Sequence, residues 1–353
     1  MLMFPSFVDA HSARRSLVWA LPLCKKSSFS SVVAVFASTF AASVAAQSSV
    51  TISGKIEASL DHLSMKSAAG LKRTVRSVSS DSSRLIFEGT EELGGGLRAK
   101  FKLDQAFSAD TGALGFGGVA LGREAFVGLA GRFGELRLGR NYIPMDDLAA
   151  PLDPFYFTGV GAAWPMTFFV PRINNSVKYI SPRVNGLQLR GLMSPSEGVT
   201  GASFNGLGAS YTDSRFDAHL AYTLQKDGAP TGNRKELLLG GAIKFDGPRL
   251  TALYVQRDDP GVPKRSTALV GVNLPSGVGE LRASYILERQ AGAKARKLSA
   301  QYVHSLSKRT AVYTGIARLD NNAGFAETIN PALPRLANGE DVTAFQVGIR
   351  HNF

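Results

Sequence analysis

From Val50 to Leu60 every even position is apolar or small and every odd position is polar. Phe216 to Gln225 and Leu281 to Tyr285 repeat the pattern. A strand sends successive side chains to opposite faces, so each segment carries one greasy and one wet face. Apolar residues three and four apart, the mark of an amphipathic helix, are hard to find after residue 47. Sixteen strands are expected, at 49–60, 82–90, 97–107, 120–130, 134–142, 172–181, 186–194, 204–213, 215–226, 236–246, 249–257, 266–274, 279–290, 296–305, 310–320 and 342–353. An even count lets an antiparallel sheet close with both termini at one end.

The connections alternate in length. Tight turns such as Gly94-Gly95-Gly96, Asp213-Ser214 and Asp246-Gly247-Pro248 are followed by longer segments at 61–81, 108–119, 143–171, 195–203, 227–235, 258–265 and 321–341. A barrel with short turns on one side of a membrane and long loops on the other has this rhythm, which a soluble sandwich has no reason to adopt. Lys55, Glu57, Arg84, Glu88, Arg98, Lys100, Lys102, Asp104, Arg172 and Lys178 oppose the apolar face of their strands. A cation on the lipid face costs roughly 2–4 kcal/mol at the midplane, so the parity has an energetic reason. Tyr179, Tyr211, Tyr222, Tyr254, Tyr285, Tyr302 and Tyr313 are assigned to the apolar face, where a ring with a polar tip suits the headgroup level. The fold expected is all-β, a 16-stranded antiparallel transmembrane barrel with no further domains.

The N-terminus reads differently. Arg14, Arg15, Lys25 and Lys26 precede an apolar run from Phe29 to Val44, then small residues to Ala46. That is a secretory leader, too short in its apolar part for a membrane helix of about 20 residues. Residues 1–46 are read as the leader and 47–353 as the barrel. Cys24 leaves with the leader, as suits a chain that crosses an oxidising compartment. The remainder has 36 Lys+Arg against 27 Asp+Glu, a net charge of +9. Those cations are spread singly along strands rather than gathered in a patch, so a nucleic-acid partner is not expected. Mean hydropathy is 0.00, the average of one oily and one polar face.

The chain resembles the general diffusion porins of Gram-negative outer membranes, in particular the beta-proteobacterial branch. The resemblance rests on Gln47 to Thr51, Ser83-Arg84 leading into Glu91 to Leu97, Gly122 to Leu129, and Leu138-Gly139-Arg140. It continues through Arg172 to Tyr179, Ser305 to Thr310 and the closing Val347 to Phe353. It implies a homotrimer in the outer membrane, surrounded by outer-membrane lipid and lipopolysaccharide, with Phe353 ending a signal read by the outer-membrane assembly machinery. It also implies that the 143–171 connection folds into the lumen as a constriction loop. Its aromatic content (Phe155, Tyr156, Phe157, Trp164, Phe168, Phe169) argues independently against disorder. Facing the loop, the resemblance implies a basic cluster of Lys55, Arg84, Arg123 and Arg172. Arg123 fails to declare a face, because Phe126 and Val127 compete for the outward one. Among loop carboxylates Asp153 is the first candidate partner, followed by Asp146 and Asp147. Cations on one wall and carboxylates on the other orient dipolar solutes. With bases in excess, mild anion preference is expected.

Other chemistry is weakly signalled. Gly115 to Ala120 mimics a dinucleotide fingerprint but has no helix after it. His62, His219, His304 and His351 lack ligand spacing, and His219 is expected simply to line the pore. No cofactor or metal is expected. Passive diffusion of small hydrophilic solutes and ions is therefore the expected function, with a substrate-specific porin as the alternative. A barrel enzyme needs a clustered acid, base or nucleophile; no Ser/His/Asp grouping stands out.

Overall fold

A computed structural model of the chain describes residues 49–167, 169–195, 202–227, 232–322, 324–330, 333–334 and 336–353. The leader read at 1–46 and the loop residue Phe168 lie outside the described residues. The strands are β1 (Ser49–Lys66), β2 (Lys72–Ser79), β3 (Arg84–Gly94), β4 (Leu97–Ala106), β5 (Glu124–Gly131), β6 (Gly134–Tyr142), β7 (Arg172–Ile180), β8 (Leu187–Ser194) and β9 (Ala202–Thr212). They continue as β10 (Phe216–Asp227), β11 (Arg234–Lys244), β12 (Arg249–Asp258), β13 (Arg265–Ser276), β14 (Gly279–Gln290), β15 (Ala293–Ser305), β16 (Thr310–Asn321) and β17 (Asp341–Asn352). A short helix, α1 (Pro144–Ala149), opens the 143–171 connection.

Every consecutive pair from β3 to β17 is antiparallel, and β17 returns to β1 in register from Lys55↔Asn352 to Lys66↔Asp341. β2 and β3 form two halves of one stave. β2 pairs with the far half of β1 and β3 with the near half. The seventeen strands thus make a closed barrel of sixteen staves. At the seam Gly54 and Phe353 exchange backbone hydrogen bonds of 3.1 Å in both directions. Closure matters because hydrocarbon offers no partner to an unpaired peptide group.

The outward face is the apolar one: Ile52, Val127, Leu207, Leu298 and Ile349 stand exposed in rows around the wall. The inward face carries the charges, including Lys55, Arg84, Asp104 and Lys178. The competition at β5 is resolved by register. Phe126 lies opposite Lys102 and faces in, with the Arg137 guanidinium 4.4 Å from its ring centroid, while Val127 faces out.

The structure corrects three expectations. The segment 61–81 is not a long loop: β1 runs on to Lys66 and turns back into β2. Its parity inverts past Leu60. Leu63 and Met65 now point inward and are buried, while His62, Ser64 and Lys66 point out. A strand leaving the apolar belt needs a polar outer face, and its inner face here meets a packed loop. Tyr313 faces inward, not outward. It sits over Gly348 on β17, where an added Cβ would lie 2.3 Å from its ring, and it donates to Glu57 at 2.9 Å. Finally, the alternation of short and long connections fails between β14 and β15, which a tight turn at Ala291-Gly292 joins with both residues at positive φ. That two-residue turn stands at the end of the barrel that carries the long loops.

The lumen is not wet throughout. Toward the long-loop end, Leu63, Leu238, Leu253, Leu269 and Ile286 of the wall pack against the 143–171 loop in one apolar cluster. The cluster also takes Phe325, Ile329 and Leu333 from the 321–341 connection, so two connections fold into the barrel mouth.

Candidate functional site

The 143–171 loop leaves β6 and returns to β7 across a bond from the Ile143 N–H to the Pro171 carbonyl at 2.9 Å. Pro144 starts α1, where its missing N–H costs nothing, and Asp146 and Asp147 lie in the first turn, where the helix dipole favours them. Beyond α1 the chain tightens into short turns at Ala150–Leu152 and Trp164–Met166. Phe157, Trp164 and Phe169 form an aromatic trio with centroids 5.9–6.4 Å apart.

The loop is seated on glycines of the inner wall. Pro154 occupies the space a side chain at Gly271 would need: a Cβ there would lie 2.3 Å from the proline Cγ. Leu152 covers Gly240 in the same way, with Cδ1 at 2.4 Å. Gly271→Val is therefore expected to push the loop off the wall and into the open lumen. Single-channel conductance should fall below the parent value; an unchanged conductance would mean that the loop does not set the narrowest section.

The four expected wall cations come together as two pairs. Lys55 and Arg84 are direct cross-strand partners on β1 and β3. Lys55 is compensated by Glu57 at 2.9 Å, a carboxylate that also receives Ser82 and Tyr313. Arg84 has no ion pair among the described residues, and its buried Nε lacks a hydrogen-bond partner. The second pair flanks Tyr142. Arg172 donates to the phenol oxygen at 2.6 Å and stacks 4.2 Å from the Tyr142 centroid and 4.4 Å from that of Phe116. Arg123 faces the lumen and donates to Asp104 at 3.3 Å. Arg172 has hydrogen-bond and ring contacts but no ion pair among the described residues.

The loop carboxylates separate into three environments. Asp147 is bound to Lys178 at 2.6 Å and lies 3.7 Å from Arg190. Asp146 is buried, and that burial pushes its carboxyl up to about 7; nearby Asp147 adds to the rise, while Arg172 and Arg123 oppose it. Asp153 does not face the lumen. It is fully buried and accepts the N–H groups of Phe155, Phe157 and Ala163 at 3.1, 3.0 and 2.8 Å. Its geometry folds the loop on itself, where the sequence suggested a partner for the basic wall. Asp and Asn often close local turns in this manner, and the Asp153-Pro154-Phe155 step fits that use.

Several residues that hold the loop escaped sequence reasoning. Arg249 donates to the Pro151 carbonyl at 2.8 Å, Thr267 to the Met166 carbonyl at 2.5 Å and Asn273 to the Pro154 carbonyl at 3.3 Å. His219 is more than pore lining, since its Nδ1 contacts the Leu148 carbonyl at 2.7 Å. Fully buried Lys297 donates to the carbonyls of Ala162 and Ile329, one on each inward connection. Asn330 ties the same two connections by donating to the Gly159 carbonyl at 3.1 Å. The available signal was a polar residue at an inward position flanked by inward apolar ones, such as Thr267 beside Leu269.

Comparison with known proteins agrees with this geometry. The family model described as Gram-negative porin matches residues 30–324. Outer membrane porin protein 32 of Delftia acidovorans is 31% identical over 338 residues, covering 87% of this chain and 95% of its own length. Major outer membrane protein P.IA of Neisseria meningitidis serogroup C is 26% identical over 351 residues, covering 80% and 85%. Among solved structures, the anion-selective porin from Comamonas acidovorans superposes with a TM-score of 0.76 at 30% identity, covering 87% of this chain and all of that one. The trimer form of OmpT from Vibrio cholerae superposes at 0.68 with 15% identity, covering 87% and 99%, a likeness of fold alone.

Proposed function

The chain belongs to the Gram-negative porin family, and from that premise we propose that its uncompensated wall arginines make its outer-membrane diffusion channel anion-preferring. The barrel passes small hydrophilic solutes and ions down their gradients. The observation that carries the preference is that Arg84 and Arg172 line the lumen without an ion pair among the described residues, while Lys55, Arg123 and Lys178 are each ion-paired. The anion-selective porin from Comamonas acidovorans, similar over its whole length, supports the same sign. Planar-bilayer recording of the purified protein in a salt gradient tests it. Step-like openings with a reversal potential on the anion side are expected; a cation-side potential would overturn the preference. Flux that saturates with one solute would instead favour a substrate-specific porin.

Asp146 makes the preference depend on pH. Its carboxyl is neutral below about 7 and charged above it, so rising pH adds a negative charge near Arg172 and Arg123. The anion-to-cation permeability ratio should fall between pH 5 and pH 9, and Asp146→Asn should flatten that profile. An unaltered profile in the variant assigns the titration elsewhere.

The same reading takes residues 1–46 as a leader removed on export, three copies as the working unit and lipopolysaccharide as the surrounding outer leaflet. Phe353 is taken as the end of the assembly signal. Its ring packs over Gly54 and its backbone closes the seam, so one residue serves both recognition and closure.

A further inference from the structure

We propose that a concavity in the inner wall, on the short-turn side of the constriction, binds zwitterionic α-amino acids, with Glu88 taking the ammonium and Lys100, Lys102 and Arg137 the carboxylate. The proposal rests on the reading of the chain as a porin and names a solute class that an anion preference alone does not.

The concavity encloses about 300 Å³, the small end of the range for ligand sites, which runs from about 300 to 1,000 Å³. On β3, Glu88 follows Arg84 toward the Gly94-Gly95-Gly96 turn, so the space lies beyond the basic wall cluster. Register sets Glu88 between Thr51 of β1 and Lys102 of β4. Lys100 comes next on the same face, opposite Thr90 on one side and Gly128 on the other, and Gly128 lies opposite Arg137. The glycine makes room for the Arg137 stem, whose Cγ lies 3.5 Å from where a Cβ at Gly128 would be. The Phe126 ring, 4.4 Å away, covers one face of the Arg137 guanidinium, which leaves its N–H edge for a ligand.

Charge identifies the occupant. The three cations are joined in one chain: Lys102 donates to Glu124 at 3.0 Å, Arg137 lies 3.6 Å from Glu124 and 2.6 Å from Glu135, and Lys100 donates to Glu135 at 2.9 Å. Three cations against two carboxylates leave one positive charge in excess. Glu88 is exposed and forms no ion pair among the described residues, because Lys102, its direct cross-strand neighbour, is turned to Glu124. The concavity is thus neutral as a whole, with its two signs held apart. A simple anion is repelled by Glu88 and a simple cation by the network, whereas a molecule carrying both signs satisfies both. Directly opposed residues stand about 5 Å apart at Cβ, a short span that suits the adjacent ammonium and carboxylate of an α-amino acid better than charges at the two ends of a long chain. The hydroxyls of Thr51 and Thr90 line the same space and can bond either group.

The test is single-channel current and noise recording of the full-length protein in planar bilayers at neutral pH, with glutamine, N-acetylglutamine, glutaminamide or glucose added. Glutamine is the zwitterion; acetylation leaves only the anion, the α-amide leaves only the cation, and glucose carries no charge. Glutamine is expected to reduce the current along a saturating curve. Its half-block concentration should lie about fivefold below that of each other solute, the factor for one added opposite-charge contact at about 4 Å in water. Glu88→Gln should raise the glutamine value about fivefold and bring that of N-acetylglutamine below it; Lys102→Met should raise it by a similar factor and bring glutaminamide below it. Glu92→Gln, an exposed carboxylate further along β3, should leave all four values at those of the parent. Equal values for the four solutes, the parent's order retained in either Glu88→Gln or Lys102→Met, or a reordering in Glu92→Gln would each overturn the site. The same traces separate the two readings. Parent protein without channel steps defeats the porin assignment, whereas normal steps without a saturating glutamine effect defeat only the site.

Discussion

Replacing both Arg84 and Arg172 by Glu is expected to turn an anion-preferring channel into a cation-preferring one. Each substitution changes the local charge by two. At about 6 Å in water two unit charges interact by ~0.7 kcal/mol, so one substitution shifts an ion's energy by ~1.4 kcal/mol before screening. At 0.1 M salt the Debye length of about 10 Å leaves roughly half of that. Anion entry should then fall about threefold per substitution and cation entry rise by a similar factor, so the permeability ratio drops roughly tenfold for each. Arg84 and Arg172 are chosen because neither forms an ion pair among the described residues, and Asp146, the carboxyl near Arg172, is neutral below about 7. Lys55 is the internal contrast: Glu57 sits 2.9 Å away, so Lys55→Met should move the ratio less than Arg84→Met. The measurement is the reversal potential under a tenfold salt gradient. A double variant with the parent's potential would remove both arginines from the conducting path.

The barrel was legible because lipid enforces parity. One face of each strand must be apolar across the bilayer, and the pattern from Val50 to Leu60 records that demand residue by residue. Legibility stops where the strand leaves the lipid. Beyond Leu60 the demand inverts, and Leu63 and Met65 look like the start of a loop only while the outer face is assumed to stay oily. Tyr313 was misplaced because both faces of β16 carry small or apolar residues, and Gly348 on the partner strand decided the matter. The site was legible to a lesser degree. Wall cations follow parity and were found; Arg123 precedes its strand and needed Asp104 to show its direction. Loop residues follow no period, so nothing in the sequence distinguished Asp153, buried and turned into the loop, from Asp146 or Asp147. That distinction is made by three N–H groups whose positions arise only once the loop is folded.

Those N–H groups define the second large effect. Asp153→Ala leaves the donors of Phe155, Phe157 and Ala163 buried without their carboxylate, at about 1–3 kcal/mol each. Burial pushes the Asp153 carboxyl up, against the opposing pull of the three N–H groups and Lys297, and those three N–H groups converge on its two oxygens. The barrel wall does not depend on these bonds, because its ladders pair strand to strand; strand content by circular dichroism should match the parent. The loop does depend on them. With a loss of several kcal/mol it should leave its seat for part of the time, giving larger and noisier conductance steps and passing neutral sugars that the parent excludes. Lys297→Met attacks the same lock from the wall, removing the ammonium that holds Ala162 and Ile329. If the two act as one lock, the double variant should exceed the larger single effect only slightly, since the loop is already free. Fully additive changes would mean that Asp153 and Lys297 hold separate segments. A parent-like exclusion limit in Asp153→Ala would show that the wall contacts from Arg249, Asn273 and Thr267 hold the constriction without it.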